Sequence, residues 1–193
     1  MKTRNMMYVA MFAAVVGVLG LMPPIPLPFT PVPITAQTLG VMLAGSLLGA
    51  RLGGGSLLLF LALIAAGMPI LAGGRGGLGV LFGPSGGYIL SWPLAAFLIG
   101  FMMQKAQPAL NLAKAIIINI VGGILVIHVF GIIYLAFVTN ISLWAAAVSS
   151  LGFVPGDTVK AIISAVIAVK IAKSHPSLLK GNNRGEQSAK KAG

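Results

Sequence analysis

Stretches of uninterrupted apolar residues alternate with short clusters of proline, glycine and charge along the whole chain. The runs predict six helical spans, over about 6–22, 36–50, 54–67, 88–104, 113–138 and 157–173, each near the roughly 20 residues a helix needs to cross a bilayer. The punctuation is explicit. Pro23, Pro24, Pro26, Pro28, Pro31 and Pro33 stop the first span, and Arg51 with the Gly53-Gly54-Gly55 turn separates the second from the third. A glycine-rich loop from Gly67 to Gly87 precedes the fourth, and Gln107-Pro108 precedes the fifth. Ser142 to Leu151 reads as a short surface helix, after which Gly152 to Gly156 resets the backbone for the sixth span. The expected fold is therefore an all-α polytopic bundle of six transmembrane helices. Residues 1–173 form its single domain, and 174–193 form a basic, disordered tail.

Composition agrees. With 58% hydrophobic and 8% charged residues, the chain is far from the roughly 25% charged content of a soluble domain. Lys2 and Arg4 before an apolar core look like a secretory signal, but the prolines after Met22 provide no small-residue cleavage site, so the first helix is read as retained. A net charge of +11 does not imply nucleic acid, because the basic residues mark span ends and the tail instead of forming a stripe. Lys2, Arg4, Arg51, Lys105, Lys114, Lys170, Lys173, Lys180, Arg184, Lys190 and Lys191 all fall on one side of the six-span topology. The other side holds Arg75, with Lys160 just inside the last span. Excess positive charge faces the cytoplasm, so both termini are placed there.

Asp157 and Glu186 are the only carboxylates. Asp157 opens the sixth span and lies one helical turn before Lys160, so the two share a face. A charge inserted into a bilayer costs about 2.5–3.5 kcal/mol, which is why such residues usually have a partner and a task. Two readings fit: an intrahelical salt bridge that eases insertion, or a carboxylate for a ligand's N–H groups with an ammonium for a ligand carboxylate. Three segments of unusual backbone meet on that outer side: the proline segment, the glycine loop around Arg75, and the Asp157 turn. Irregular backbone at membrane depth is tolerated only when it is buried in protein or lines a cavity, and capture of an external solute is the simplest use of this one.

Other candidates carry competing readings. Arg75 is either a solvated loop cation or a ligand contact, and Tyr88 and Trp92 are either interface-belt aromatics or walls for an apolar ligand. Thr35 is a helix cap or a site residue, whereas the Gln37 amide offers a paired donor and acceptor. The Gly73–Gly74 backbone is a second-rank candidate. His128 has no imidazole or carboxylate near it in sequence and reads as a packed histidine. Ala10 and Ala14 form a small-residue stripe suited to close helix contact. The G-x-G-x-x-G at Gly74, Gly76 and Gly79 lacks the strand, helix and downstream acid of a dinucleotide fold. No G-x-x-x-x-G-K-[ST] loop, cysteine or cluster of catalytic side chains is present, so enzyme chemistry, metal and cofactor are not expected.

Taken together, Pro31-Val-Pro-Ile-Thr-Ala-Gln-Thr-Leu39, Leu47-Leu-Gly-Ala-Arg-Leu-Gly-Gly-Gly-Ser56, Gly67-Met-Pro-Ile-Leu-Ala-Gly-Gly74, Gly83-Pro-Ser-Gly-Gly-Tyr88 and Phe153-Val-Pro-Gly-Asp-Thr-Val-Lys160 resemble the BioY family. These are biotin-capturing S components of energy-coupling factor (ECF) transporters in prokaryotes, and the resemblance covers about residues 6–173. It implies a multi-pass protein of the prokaryotic cytoplasmic membrane whose outer loops close over biotin. A transmembrane T component and two cytoplasmic ATPase subunits are its implied partners, the ATPases hydrolysing ATP. It also implies that Ala10 and Ala14 contact the T component. Asp157 would accept from the ureido N–H groups with Gln37 or Tyr88 assisting, and Lys160 or Arg75 would neutralise the valerate. Alternatives are an S component for another vitamin, or a structural membrane subunit that transports nothing.

Overall fold

The computed structural model describes residues 3–107 and 109–174; the tail expected after 173 lies outside the described residues, apart from Ser174. Helix α1 (Thr3–Leu19) is followed by a two-stranded antiparallel hairpin, β1 (Ile25–Leu27) and β2 (Thr30–Ile34). Then come α2 (Gln37–Ala65), α3 (Leu78–Leu81), α4 (Gly86–Leu90), α5 (Trp92–Ala106) and α6 (Leu112–Asn119). A π-helical turn (Ile120–Leu125) joins α6 to α7 (Val126–Thr139). Helix α8 (Leu143–Ser150), a 3-10 turn (Leu151–Phe153) and α9 (Val154–Ser174) complete the chain. Four stretches among the described residues, Gln37–Ala65, Gly86–Ala106, Leu112–Thr139 and Leu143–Ala172, are long and apolar enough to cross a membrane, with Thr3–Leu19 as a shorter apolar helix.

The expected break between the second and third spans is misplaced. Arg51 and Gly53-Gly54-Gly55 are helical, and the chain instead reverses at Gly49, whose φ of 78° is the left-handed conformation that glycine adopts without a Cβ penalty. The two arms, 37–48 and 50–65, fold back on each other: a Cβ on Gly53 would lie 2.8 Å from the Ala44 carbonyl oxygen. Gly53 and Gly54, the latter packed against Phe97, are therefore packing residues, and none of the three glycines forms the turn. Helix α5 lies against this folded pair through further glycines, since a Cβ on Gly45 would be 2.6 Å from the Ala96 carbonyl and one on Gly100 would strike the Gly49 backbone. Lipid offers no hydrophobic drive between helices, so such close backbone approach supplies much of the attraction.

The proline segment forms the β-hairpin, which the apolar pattern does not foresee. Pro31 and Pro33 are tolerated because β2 has a single partner and can leave their missing N–H groups on its open edge. Burial within β2 alternates, with Thr30 and Val32 inside and Pro31 outside. Helix boundaries otherwise move by a few residues from expectation: α1 starts at Thr3 and α9 at Val154. Helix α8 occupies the place expected for a surface helix, exposing Leu143, Trp144 and Val148.

The core has two lobes. One contains Val16, Val41, Leu57, Phe60, Ile64, Trp92 and Ile127. The other joins Met42, Ile99, Met103 and Ile118 to Ala161, Ala165 and Ala168 of α9. Between them a buried polar contact, Ser46 Oγ donating to Asn119 Oδ1 at 3.2 Å, pins α2 to the end of α6.

Candidate functional site

At the end of the bundle where the β-hairpin, the glycine loop and the start of α9 meet, the fold forms a cavity open at its mouth, with about 570 Å3 of empty space when the solvent at the opening is included. Its walls are the aromatic rings of Tyr88, Trp92 and Phe153 with Val32, Ile89 and Ile127; its polar groups are Thr35, Gln37, Thr38, Arg75, Ser85, His128, Asp157 and Lys160.

Asp157 sits in the first turn of α9, where the helix dipole favours a negative charge. It is only 5% exposed. Its Oδ1 accepts from Lys160 Nζ at 2.8 Å and from Thr38 Oγ1 at 3.0 Å. Lys160 Nζ also donates to Thr35 O at 2.6 Å and to Thr38 Oγ1 at 2.9 Å. Three contacts use every donor of the ammonium. The two readings of the Asp157–Lys160 pair therefore merge: the pair is a salt bridge, yet it is a cross-link from α9 to the hairpin–α2 junction, and Asp157 Oδ2 makes no hydrogen bond among the described residues. Thr35 contributes its carbonyl and does not cap α2, whose N-cap is Ala36 without a side-chain bond.

Gln37 lines the cavity, but its amide is already committed. Nε2 donates to Val16 O and Ile70 O, each at 3.1 Å, and Oε1 accepts from Ala72 N at 3.0 Å. It ties α1 and the 70–72 strand of loop to α2 instead of offering free groups. Tyr88 presents its ring, while its hydroxyl bonds Ser150 Oγ at 2.6 Å, fixing α4 to α8. Gly131 makes room for that ring, since a Cβ there would collide with it.

The glycine loop delivers Arg75. Gly73 and Gly74 have φ of 78° and 68°, which closes a tight turn in which Gly74 N and Arg75 N both donate to Leu71 O. Neither glycine lines the cavity; their backbone shapes the loop that carries Arg75. Arg75 Nε donates to Ala72 O at 3.1 Å, and the guanidinium has no carboxylate partner among the described residues. Ala10 and Ala14 are remote from the cavity, on the exposed face of α1 together with Met7, Met11 and Val18.

Three polar side chains of the cavity, Thr38, Ser85 and His128, are not among the candidates read from the sequence. His128 reads as a packed residue because nothing complementary is near it in sequence, yet its Nε2 lies 3.8 Å from Asp157 Oδ2. Asn119 and His128 are nine residues apart, which in an uninterrupted α-helix puts them about 180° from each other. The intervening π turn takes up about one residue, roughly 100°, so Asn119 faces the core while His128 faces the cavity. Gly122 and Gly123, packed against Ile99 and Met42, allow the wide turn to fit. The available signal was an imidazole in mid-span, which by itself marks a functional candidate.

The family model of the BioY family matches residues 1–177. The chain belongs to the BioY family. Among relatives, a probable biotin transporter BioY of Bacillus subtilis is 48% identical over 174 residues, covering 90% of this chain and 93% of the relative. A biotin transporter BioY of Rhizobium etli is 42% identical over 183 residues, covering 92% and 98% respectively. A crystal structure of the S-component for biotin from an ECF-type ABC transporter superposes with a TM-score of 0.85 at 41% identity, covering 89% of this chain and 92% of that one. The bundle described above is thus the membrane fold of an ECF S component, and the hairpin-capped cavity belongs to a BioY protein.

Proposed function

We propose that the chain captures biotin as the S component of an ECF-type transporter and takes part in its uptake across the prokaryotic cytoplasmic membrane. The observation that carries this is a cavity with aromatic walls holding a buried carboxylate with a free oxygen and, from a different loop, a guanidinium, neither with a further partner among the described residues. Biotin has matching chemistry: two ureido N–H donors, a largely apolar bicycle and a terminal carboxylate. Asp157 Oδ2 accepts from the ureido group. Arg75 meets the valerate, because the Lys160 head has no donor left. Lys160 positions Asp157, Thr35 and Gln37 hold the walls together, and Tyr88 packs against the bicycle.

The same reading assigns the energy source elsewhere. The likeness to an ECF S component and the lack of a phosphate-binding loop in the sequence support ATP hydrolysis by two cytoplasmic ATPase partners acting through a transmembrane T component. The exposed Ala10/Ala14 face of α1 suits close approach by that T component. The one-sided distribution of basic residues supports cytoplasmic termini and a cavity mouth on the outer side.

Titration of the detergent-purified protein with biotin, followed by calorimetry and thermal shift, tests the proposal. Biotin is expected to raise the melting temperature in proportion to the logarithm of its concentration above Kd, with other vitamins inert. An indifferent melting curve at millimolar biotin rejects the assignment.

A further inference from the structure

Among the described residues, two buried side-chain polar atoms lack any hydrogen-bond partner, Trp92 Nε1 and His128 Nε2, and both residues line the same cavity. Leaving a buried polar group unpaired costs about 1–3 kcal/mol, so a concentration of such groups at one cavity points to a ligand that satisfies them. His128 is the more informative of the two. It is 8% exposed, and its Nδ1 lies 2.9 Å from Ile124 O. A carbonyl oxygen can only accept, so Nδ1 carries the proton. In the neutral ring Nε2 is then a bare lone pair, an acceptor. Its nearest charged neighbour is another acceptor, Asp157 Oδ2, at 3.8 Å. With the ring neutral, Nε2 and Oδ2 meet as two acceptors that repel each other until donors are supplied. Tyr88 and Phe153, each with its ring centroid 6.0 Å from that of His128, hold the imidazole in place and bring no donor to Nε2.

We infer that His128 is a ligand-binding residue whose Nε2 accepts one N–H of the bound molecule while Asp157 Oδ2 accepts another, so that the two form a double acceptor selective for a cyclic urea. This rests on the biotin assignment above and deepens it. A lone carboxylate would take a cationic amine as readily as a urea. A carboxylate beside a neutral imidazole acceptor selects a rigid head that presents two neutral N–H groups together, which is specificity by placement of acceptors.

The test compares biotin affinity for the wild type, His128→Phe, His128→Gln and Asp157→Asn by calorimetry on purified protein. His128→Phe keeps a ring between Tyr88 and Phe153 but strands one ureido N–H, and should weaken binding about 5- to 100-fold. His128→Gln carries an amide oxygen that can accept, and should recover most of that loss. A His128→Phe protein that binds within fivefold of the wild type, or a His128→Gln protein as weak as His128→Phe, overturns the inference. Failure of the wild type to bind biotin overturns the functional assignment itself, a separate result. Should His128→Phe not fold, 15N NMR of histidine-labelled wild type, assigned against a His175→Gln variant, decides. The Nδ1-protonated tautomer is expected in the free state, with the Nε2 resonance moving on biotin addition. An Nε2-protonated ring, or an unmoved resonance, refutes the proposal.

Discussion

Replacing Asp157 by Asn and Lys160 by Met, singly and together, separates the structural work of this pair from its part in binding. The pair is deeply placed, with side chains 7% and 14% exposed and an Nζ–Oδ1 distance of 2.8 Å. Removing one member leaves the other buried without its counter-charge. For such pairs the loss is about 3–5 kcal/mol, whereas exchanging both for neutral groups is often close to neutral. Lys160→Met also releases Thr35 O and Thr38 Oγ1, and an acceptor left dry costs about 1–3 kcal/mol. Asp157→Asn and Lys160→Met should therefore each destabilise the ligand-free protein by several kcal/mol, while the double variant returns to within about 2 kcal/mol of the parent. Biotin affinity should behave differently. Asp157→Asn loses a charge-assisted bond worth about 1.5–3 kcal/mol, or roughly 10- to 150-fold in Kd, and adding Lys160→Met does not restore it. Chemical denaturation in detergent gives the stabilities and calorimetry the affinities. A double variant no more stable than the weaker single one would refute the cross-link argument. Recovery of affinity alongside stability would show that Asp157 acts only through packing.

Arg75→Ala should weaken biotin by about 1.5–3 kcal/mol, the range for a hydrogen bond to a charged group, and leave the affinity for biotinamide unchanged; equal losses for both ligands would remove Arg75 from the carboxylate. Gly49→Ala forces a left-handed φ on a residue with a Cβ and drives that Cβ into Gln104. It should lower stability by at least about 1–3 kcal/mol and lower expression, as read by detergent melting; an unshifted melting temperature would mean that the α2 reversal does not depend on glycine.

The apolar spans and the membrane setting were readable from the chain because a bilayer imposes a length and an apolarity on every span, and these are local properties. Asp157, Lys160 and Arg75 were legible because, in a sequence nearly devoid of charge, the few charged residues on the outer side of the spans stand out. What the linear order could not supply was contact. Gly49 and Gly53 are equally good turn residues on paper. Which of them reverses the chain depends on the seating of α5, whose Gly100 needs the Gly49 backbone against it. Gln37 promised a free amide until Val16, Ile70 and Ala72 converged on it from distant segments. His128 lay hidden because Asp157, the carboxylate it faces, is distant in sequence, and the π turn beside Gly122 and Gly123 sets the face on which the two meet. Apolarity and rarity, both local, mark the spans and the few polar residues. Which of those residues are saturated by neighbours and which keep an open valence toward the cavity follows from packing, since hydrogen-bond capacity is consumed by contacts made across the fold.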